Sequence, residues 1–172
     1  MQTISEEYRG LNRQLHAQDP SYGTSGGDYA PAVLDVYRKI GAASLLDYGS
    51  GKGALAEILK LNGVGCAEYD PAVEGKDTPP EPADLVYCGD VAEHVEPAYI
   101  EAFLDELMRV TRKTLLLVVC TRPARKFLSD GRNAHLTVEP VEWWLPKLRA
   151  RFHMNELQAD KDHFVFLGEV VV

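Results

Sequence analysis

Between Ser44 and Gly53 the chain reads SLLDYGSGKG: a short apolar run, an acid at Asp47, then glycines at 49, 51 and 53. Glycines at that spacing let a strand turn sharply into a helix, bringing bare backbone and the free N–H groups of the helix's first turn against a nucleotide-like ligand. An acid is then expected at the tip of the next strand to take a ribose hydroxyl pair, and Asp70 stands 21 positions after Gly49. Gly49, Gly51 and Ala54 also satisfy the dinucleotide spacing G-x-G-x-x-G/A, so these residues alone leave a nicotinamide cofactor open. A second set, Asp90, Glu93, His94 and the later His135, combines carboxylates with imidazoles. Imidazole titrates near neutrality, which suits His94 or His135 to general-base work.

The elements that must position these groups alternate in the manner of an α/β protein. Residues 1–30 are polar and read as loop, with Tyr22 to Gly27 as a flexible tract, and Pro31 opens a helix reaching about Lys39. A strand at 44–48 feeds the glycine turn, and a helix at 53–62 carries Leu55, Ile58, Leu59 and Leu61 before the Asn62-Gly63 stop. A strand at 64–69 follows, then a loop at 71–84 in which Pro71, Pro79, Pro80 and Pro82 exclude helix and central strand alike. Next come a strand at 84–88, a helix at about 97–110, and the most apolar strand, Thr114 to Cys120, whose continuous Leu/Val run suits a parallel strand covered on both faces. After a loop at 121–139, a helix near 141–150 precedes strands at about 152–158 and 163–171, joined at Asp160-Lys161-Asp162 as an antiparallel hairpin.

Composition agrees with this reading. At 172 residues and 45% hydrophobic content the chain suits one domain with a packed core, 31–172, preceded by the N-terminal stretch 1–30 as a lid or tail. A net charge of −8 makes unspecific nucleic-acid binding unfavourable. No apolar run is long enough to span a membrane, and a start containing Glu6, Glu7 and Arg9 does not read as a signal peptide, so a cytoplasmic location is expected. Cys66, Cys88 and Cys120 are odd in number and lie in apolar runs, where a thiol serves as a small hydrophobe; no disulfide is expected.

Asp47-Tyr48-Gly49-Ser50-Gly51-Lys52-Gly53 resembles motif I of the class I S-adenosylmethionine-dependent methyltransferases. Asp70 matches their ribose acid, and Asp84 to Val95 resembles their fourth strand with its loop, so that the resemblance covers about residues 40–172. It implies a Rossmann-like, mostly parallel sheet of order 2-1-4-5-7-6, with the third strand missing and an antiparallel strand near the C-terminus. It also implies roles. Asp47 would orient the turn and meet the methionine ammonium, Gly49, Ser50 and Gly51 would line the amino-acid moiety, and Asp70 would hold the ribose. Asp90 would face the methionine end and the acceptor. Tyr22 would pack on the ligand if the N-terminal stretch closes as a lid, while the proline loop with Asp77 would be left to cover the adenine.

Asp90-x-x-Glu93-His94 further resembles the arrangement with which ubiquinone-pathway O-methyltransferases and terminal small-RNA methyltransferases bind a divalent metal, with His135 about where their later histidine stands. Two readings follow. Either a metal lowers the pKa of an acceptor hydroxyl, or, as in metal-free relatives, Glu93 caps a helix start and His94 packs or touches substrate.

The acceptor is bounded by charge and by absence. Between Arg109 and Arg132 seven basic residues stand against one acid, Asp130, and Arg122, Arg125, Lys126 and Arg132 follow the fifth strand, where ligands enter an open α/β sheet. An anionic acceptor is one reading, a solvated loop the other. Trp143-Trp144 is expected to pack one indole on the sheet and lean the other over the pocket. Cys88-Gly89-Asp90 stands where DNA amino-methylating enzymes carry an Asn/Asp-Pro-Pro-aromatic run, and no Pro-Cys nucleophile is present. A small acceptor, methylated on oxygen or nitrogen, is therefore expected; the rivals are a nicotinamide-dependent oxidoreductase and a non-catalytic S-adenosylmethionine-binding module.

Overall fold

Strand β1 (Leu45–Tyr48) is buried along its whole length, as is β3 (Ala83–Gly89) beside it, and neither can satisfy its backbone except within a sheet. The computed structural model describes residues 2–171. Its six strands lie in the order β2-β1-β3-β4-β6-β5, with β2 (Ala67–Tyr69), β4 (Thr111–Cys120), β5 (Phe152–Ala159) and β6 (His163–Val170) completing the sheet. The pairs β1–β2, β1–β3 and β3–β4 are parallel, whereas β6 runs antiparallel to both β4 and β5. This is the order expected from the resemblance once the missing third strand is left out of the count.

Helices cover both faces. On one, α4 (Ile100–Val110) and α5 (Val141–Arg149) bury Phe103, Leu104, Leu107, Trp144 and Leu148. On the other, α2 (Ala30–Lys39) and α3 (Ala54–Leu61) bury Val33, Leu34, Leu55 and Leu59. Helix α3 ends as Asn62-Gly63 predicts: Gly63, at φ +74°, and Val64 return their N–H groups to the Lys60 and Leu59 carbonyls, two of the acceptors the last turn leaves open.

The N-terminal stretch departs from the loop reading. Residues Glu6–Gln18 form a helix, α1, started by Ser5, whose Oγ accepts the Tyr8 N–H at 3.0 Å, with Glu6 and Glu7 in the first turn. Its inward face is Tyr8, Asn12 and His16, polar side chains at helical spacing that a search for aliphatic periodicity passes over. The tract expected to be flexible continues into a 3-10 turn, Ser25–Tyr29, whose glycines pack on α3: a Cβ on Gly26 or Gly27 would touch Leu55, Ile58 or Ala54.

The Trp143-Trp144 reading also needs correction. Trp144 is fully buried beside Phe164, but Trp143 does not lean over the pocket; it lies edge-on to Trp144 and is covered by the Lys147 ammonium, 4.6 Å from its ring. Adjacent helical residues point about 100° apart, and Lys147, one turn on, shares the Trp143 face.

Candidate functional site

The carboxyl ends of β1, β3 and β4 open into a cavity of about 530 Å3, within the range of small-molecule sites. Gly49, Gly51 and Asp70 line one end; Asp90, Glu93, His94 and His135 line the other. Helix α1 and Tyr22 roof the space between them.

The glycine turn is held by backbone geometry. Gly49 and Gly51 have φ of +87° and +50°, and a Cβ on Gly49 would collide with the Val91 side chain. The N–H groups of Gly49 and Ser50 both donate to the Tyr69 carbonyl, at 2.7 and 3.0 Å, locking the turn to the end of β2. Asp70 then bridges: its Oδ2 accepts the Gly51 N–H at 3.0 Å and its Oδ1 the Ala72 N–H at 2.9 Å. Parallel pairing at equal height on adjacent strands brings the first glycine loop and the second-strand acid together across 19 or more residues of sequence.

Asp47 and Ser50 do not line the cavity. Alternation along β1 sends Tyr48 to one face of the sheet and Asp47 to the other, opposite Glu68. Burial pushes the Asp47 carboxyl up to about 7, the Glu68 carboxylate adds to this, and Lys76 opposes it. Asp77 is likewise absent from the cavity wall; of the proline loop, Pro71 is there.

At the far end Asp90 closes β3 with φ +55°, a conformation in which a non-glycine residue is uncommon. Its Oδ1 is buried without a hydrogen-bond partner among the described residues, as is Glu93 Oε2, while Glu93 Oε1 accepts the Cys120 N–H at 3.2 Å. Burial, with the Asp90 charge beside it, pushes Glu93 up to about 8. His94 and His135 stand edge to face, centroids 4.7 Å apart, and each presents Nδ1 to a main-chain carbonyl: Ala134 at 2.8 Å and Arg122 at 2.7 Å. A carbonyl only accepts, so each neutral ring carries its proton on Nδ1 and keeps the lone pair of Nε2. Burial, reinforced by His135, pushes His94 down to about 3, and burial lowers His135 as well.

The four residues of the metal reading do not form one donor set. Among the described residues the ligand atoms that converge within 4.8 Å belong to Glu93, Cys120 and His135, and exclude Asp90 and His94. Burial holds both the Glu93 carboxyl and the Cys120 thiol towards their protonated forms, which suits hydrogen bonding and not a cation.

The N-terminal segment is tied to three of the loops around the cavity. Both Ser5 N–H and Oγ donate to the Glu96 carboxylate, at 2.8 Å each; Arg132 pairs with Glu7 at 2.9 Å and Lys126 with Asp19 at 2.7 Å. Lys52 Nζ reaches the Asp19 and Tyr22 carbonyls at 2.6 and 2.9 Å, and its N–H holds the Gly23 carbonyl at 2.8 Å. Tyr22 sits between His16 and His94, at ring distances of 4.6 and 5.8 Å. Of the basic residues after β4, Arg122, Arg125 and Lys126 line the cavity, and Arg132 does not. These ties pair two of the four, Lys126 and Arg132, with carboxylates. Arg122 meets Asp162 only at 3.7 Å, and Arg125 has no ion pair among the described residues.

Residues 16–162 match a family model described as a methyltransferase domain. The chain belongs to this family. In solved structures the methyltransferase is similar to the Burkholderia thailandensis 1,6-didemethyltoxoflavin-N1-methyltransferase with bound 1,6-didemethyltoxoflavin and S-adenosylhomocysteine, at 16% identity over 100% of this chain and 92% of that one, with a TM-score of 0.67. It is also similar to the N-methyltransferase NodS of Bradyrhizobium japonicum WM9 (16% identity, 98% and 100% covered, TM-score 0.64). A third is the magnesium protoporphyrin IX methyltransferase of Synechocystis PCC 6803 (14%, 94% and 94%, TM-score 0.60). No curated protein matches the chain in sequence. Family and fold bear out the expected enzyme class, an S-adenosylmethionine-dependent methyltransferase with a Rossmann-like sheet. No helix among the described residues is long and apolar enough to cross a membrane.

The buried carboxyls give the methyltransferase a pH signature. A folded-state pKa raised above the ordinary value means the folded chain binds the proton more tightly, so stability present below the ordinary value is lost as pH rises through the folded one. Glu93 (4.5 to about 8) and Asp47 (3.8 to about 7) both act in this sense, whereas the lowered His94 (6.5 to about 3) destabilises only below pH 6.5. Thermal melts between pH 6.5 and pH 8.5 are expected to show Tm falling by several degrees, and Glu93→Gln, which keeps the acceptor for Cys120 N–H and has no proton to lose, should flatten the curve.

Proposed function

We propose that the methyltransferase moves the methyl group of S-adenosylmethionine to a small acceptor bearing an anionic group. The observation that carries this reading is a single cavity in which the Asp70–Gly51 bridge stands at one end and the orphaned carboxyls of Asp90 and Glu93 at the other, with Arg125 at the mouth. Asp70 is the residue to hold the ribose, with Gly49 and Gly51 against the amino-acid moiety and Asp90 near the reacting end. Asp47 acts from behind the turn, through the backbone it shares with Gly49, and Ser50 through its N–H bond to Tyr69. Tyr22 closes over the ligand as part of a lid formed by the N-terminal segment.

When bound, S-adenosylmethionine supplies an electrophilic methyl carbon that an acceptor lone pair takes in line as the carbon–sulfur bond breaks. The chain's share of catalysis is alignment and dryness, supplied by the roof of α1 and Tyr22. His135, fixed through Nδ1, offers Nε2 to the acceptor's proton; His94, whose pKa burial lowers, orients the acceptor. Arg125, with Arg122 behind it, meets the anionic group. The names of the Burkholderia and Synechocystis enzymes, which specify small molecules, support a small acceptor.

Calorimetry with S-adenosylmethionine and S-adenosylhomocysteine, followed by methyl-transfer screening of small acids with and without chelator, tests the proposal. Micromolar binding of both, transfer that ignores chelator, and an acceptor KM raised at least tenfold by Arg125→Glu are expected. A folded protein that binds neither cofactor form would overturn it.

A further inference from the structure

Seven buried side-chain polar atoms lack a hydrogen-bond partner among the described residues, and five of them, on Tyr8, Asn12, His16, Asp90 and Glu93, belong to residues lining the one cavity. Each such atom is costly if nothing pairs with it, and native proteins keep few. Three of the five, Tyr8 Oη, Asn12 Oδ1 and His16 Nδ1, stand at i, i+4 and i+8 on α1, a row on one helix face. Tyr8 is 2% exposed. The row is also uncharged: burial holds the Tyr8 hydroxyl well above its ordinary range and pushes His16 down.

The two ends of the row differ. His16 lies against the cofactor turn, where a Cβ on Gly23 would strike its ring and Gly23 itself abuts Gly51. Tyr8 lies at the opposite end, within the field of Glu93 and Glu96. From His16 a run of rings crosses the cavity, to Tyr22 at 4.6 Å, His94 at 5.8 Å and His135 at 4.7 Å, so aromatic rings as well as polar edges line the site.

We propose that Tyr8 and Asn12 form a hydrogen-bonding wall that selects the methyl acceptor, and that the acceptor is a flat ring compound with donors or acceptors on its edge. This rests on the methyl-transfer reading above. The ring seats against the Tyr22–His94–His135 run, its polar edge pairs with Tyr8 Oη and Asn12, and the anionic group points to Arg125. An acceptor with a bare hydrocarbon edge leaves the wall unpaired, and that asymmetry gives the selection.

Two flat anions of similar size separate the wall from Arg125: kynurenate, whose edge carries a ring nitrogen and an oxygen, and naphthoate, whose edge is hydrocarbon. Titrated into the protein saturated with S-adenosylhomocysteine, kynurenate is expected to bind at least tenfold more tightly, and Tyr8→Phe combined with Asn12→Leu should bring the two within twofold. S-adenosylhomocysteine affinity should stay within twofold, and Tyr8→Phe alone should leave the Tm of the ligand-free protein unchanged or raised. Equal binding of the two anions, binding of neither, a ratio that survives the double variant, or a Tm lowered by Tyr8→Phe would each overturn the wall. Failure of the unaltered protein to bind S-adenosylhomocysteine would instead overturn the methyl-transfer reading.

Discussion

Gly51→Ala is expected to weaken S-adenosylhomocysteine binding at least a hundredfold while leaving the sheet intact by circular dichroism. Gly51 has φ +50°, where an L side chain costs about 1–2 kcal/mol, and its new Cβ would run into the Gly23 carbonyl and Cα. That carbonyl cannot step aside cheaply, because the Lys52 N–H holds it at 2.8 Å and Lys52 Nζ holds the Asp19 and Tyr22 carbonyls just before it. Relief therefore comes from lifting the N-terminal segment or from tilting the turn, which breaks the Gly51 N–H bond to Asp70. A hydrogen bond to a charged group is worth about 1.5–3 kcal/mol, so together with the backbone cost the loss reaches two or more powers of ten. Binding within threefold of the unaltered protein would show that the contact between turn and segment has no part in holding the cofactor.

Asp70→Asn is expected to cost a similar factor by a different route. Both carboxylate oxygens already accept main-chain N–H groups, from Gly51 at 3.0 Å and from Ala72 at 2.9 Å, so the group is held rigidly with lone pairs left over for ribose hydroxyls. An amide at this place can accept on one side only and must aim its NH2 at a donor on the other. One main-chain bond is lost whichever way it flips, and the ribose loses a charged acceptor. Calorimetry should show S-adenosylhomocysteine binding about a hundredfold weaker. At saturating cofactor the rate of transfer should be nearly unchanged, because the lost contact is made equally before and during reaction. Unchanged affinity would place the ribose elsewhere.

The element order was legible because each element carried its own punctuation. Asn62-Gly63 closes α3 by a local backbone motif, the Thr114–Cys120 run can only be a strand covered on both faces, and four prolines in 71–84 forbid the third strand. Helix α1 was not legible, since the face it turns to the cavity is Tyr8, Asn12 and His16, whose spacing is helical but whose chemistry is polar. Such a row makes sense only beside a cavity that the linear chain does not display. Trp143 failed for a related reason: its composition suits a ligand face, and only the packing of Lys147 one turn along takes it away.

Residue types and short-range spacing thus determined where the cofactor turn lies, which acid follows it and which sheet carries both, because glycine conformation, proline exclusion and strand periodicity act within a few residues. The tertiary fold decided the rest: that Asp70 clamps Gly51, that Asp47 faces away from the cavity, that Asp90 and His94 stand outside the Glu93, Cys120 and His135 cluster, and that α1 roofs the site. These depend on strand register, on which side of the sheet a side chain leaves, and on contacts between residues up to 125 positions apart, such as Arg132 with Glu7. Pairing at that range is set by packing of the whole chain, which no local pattern encodes.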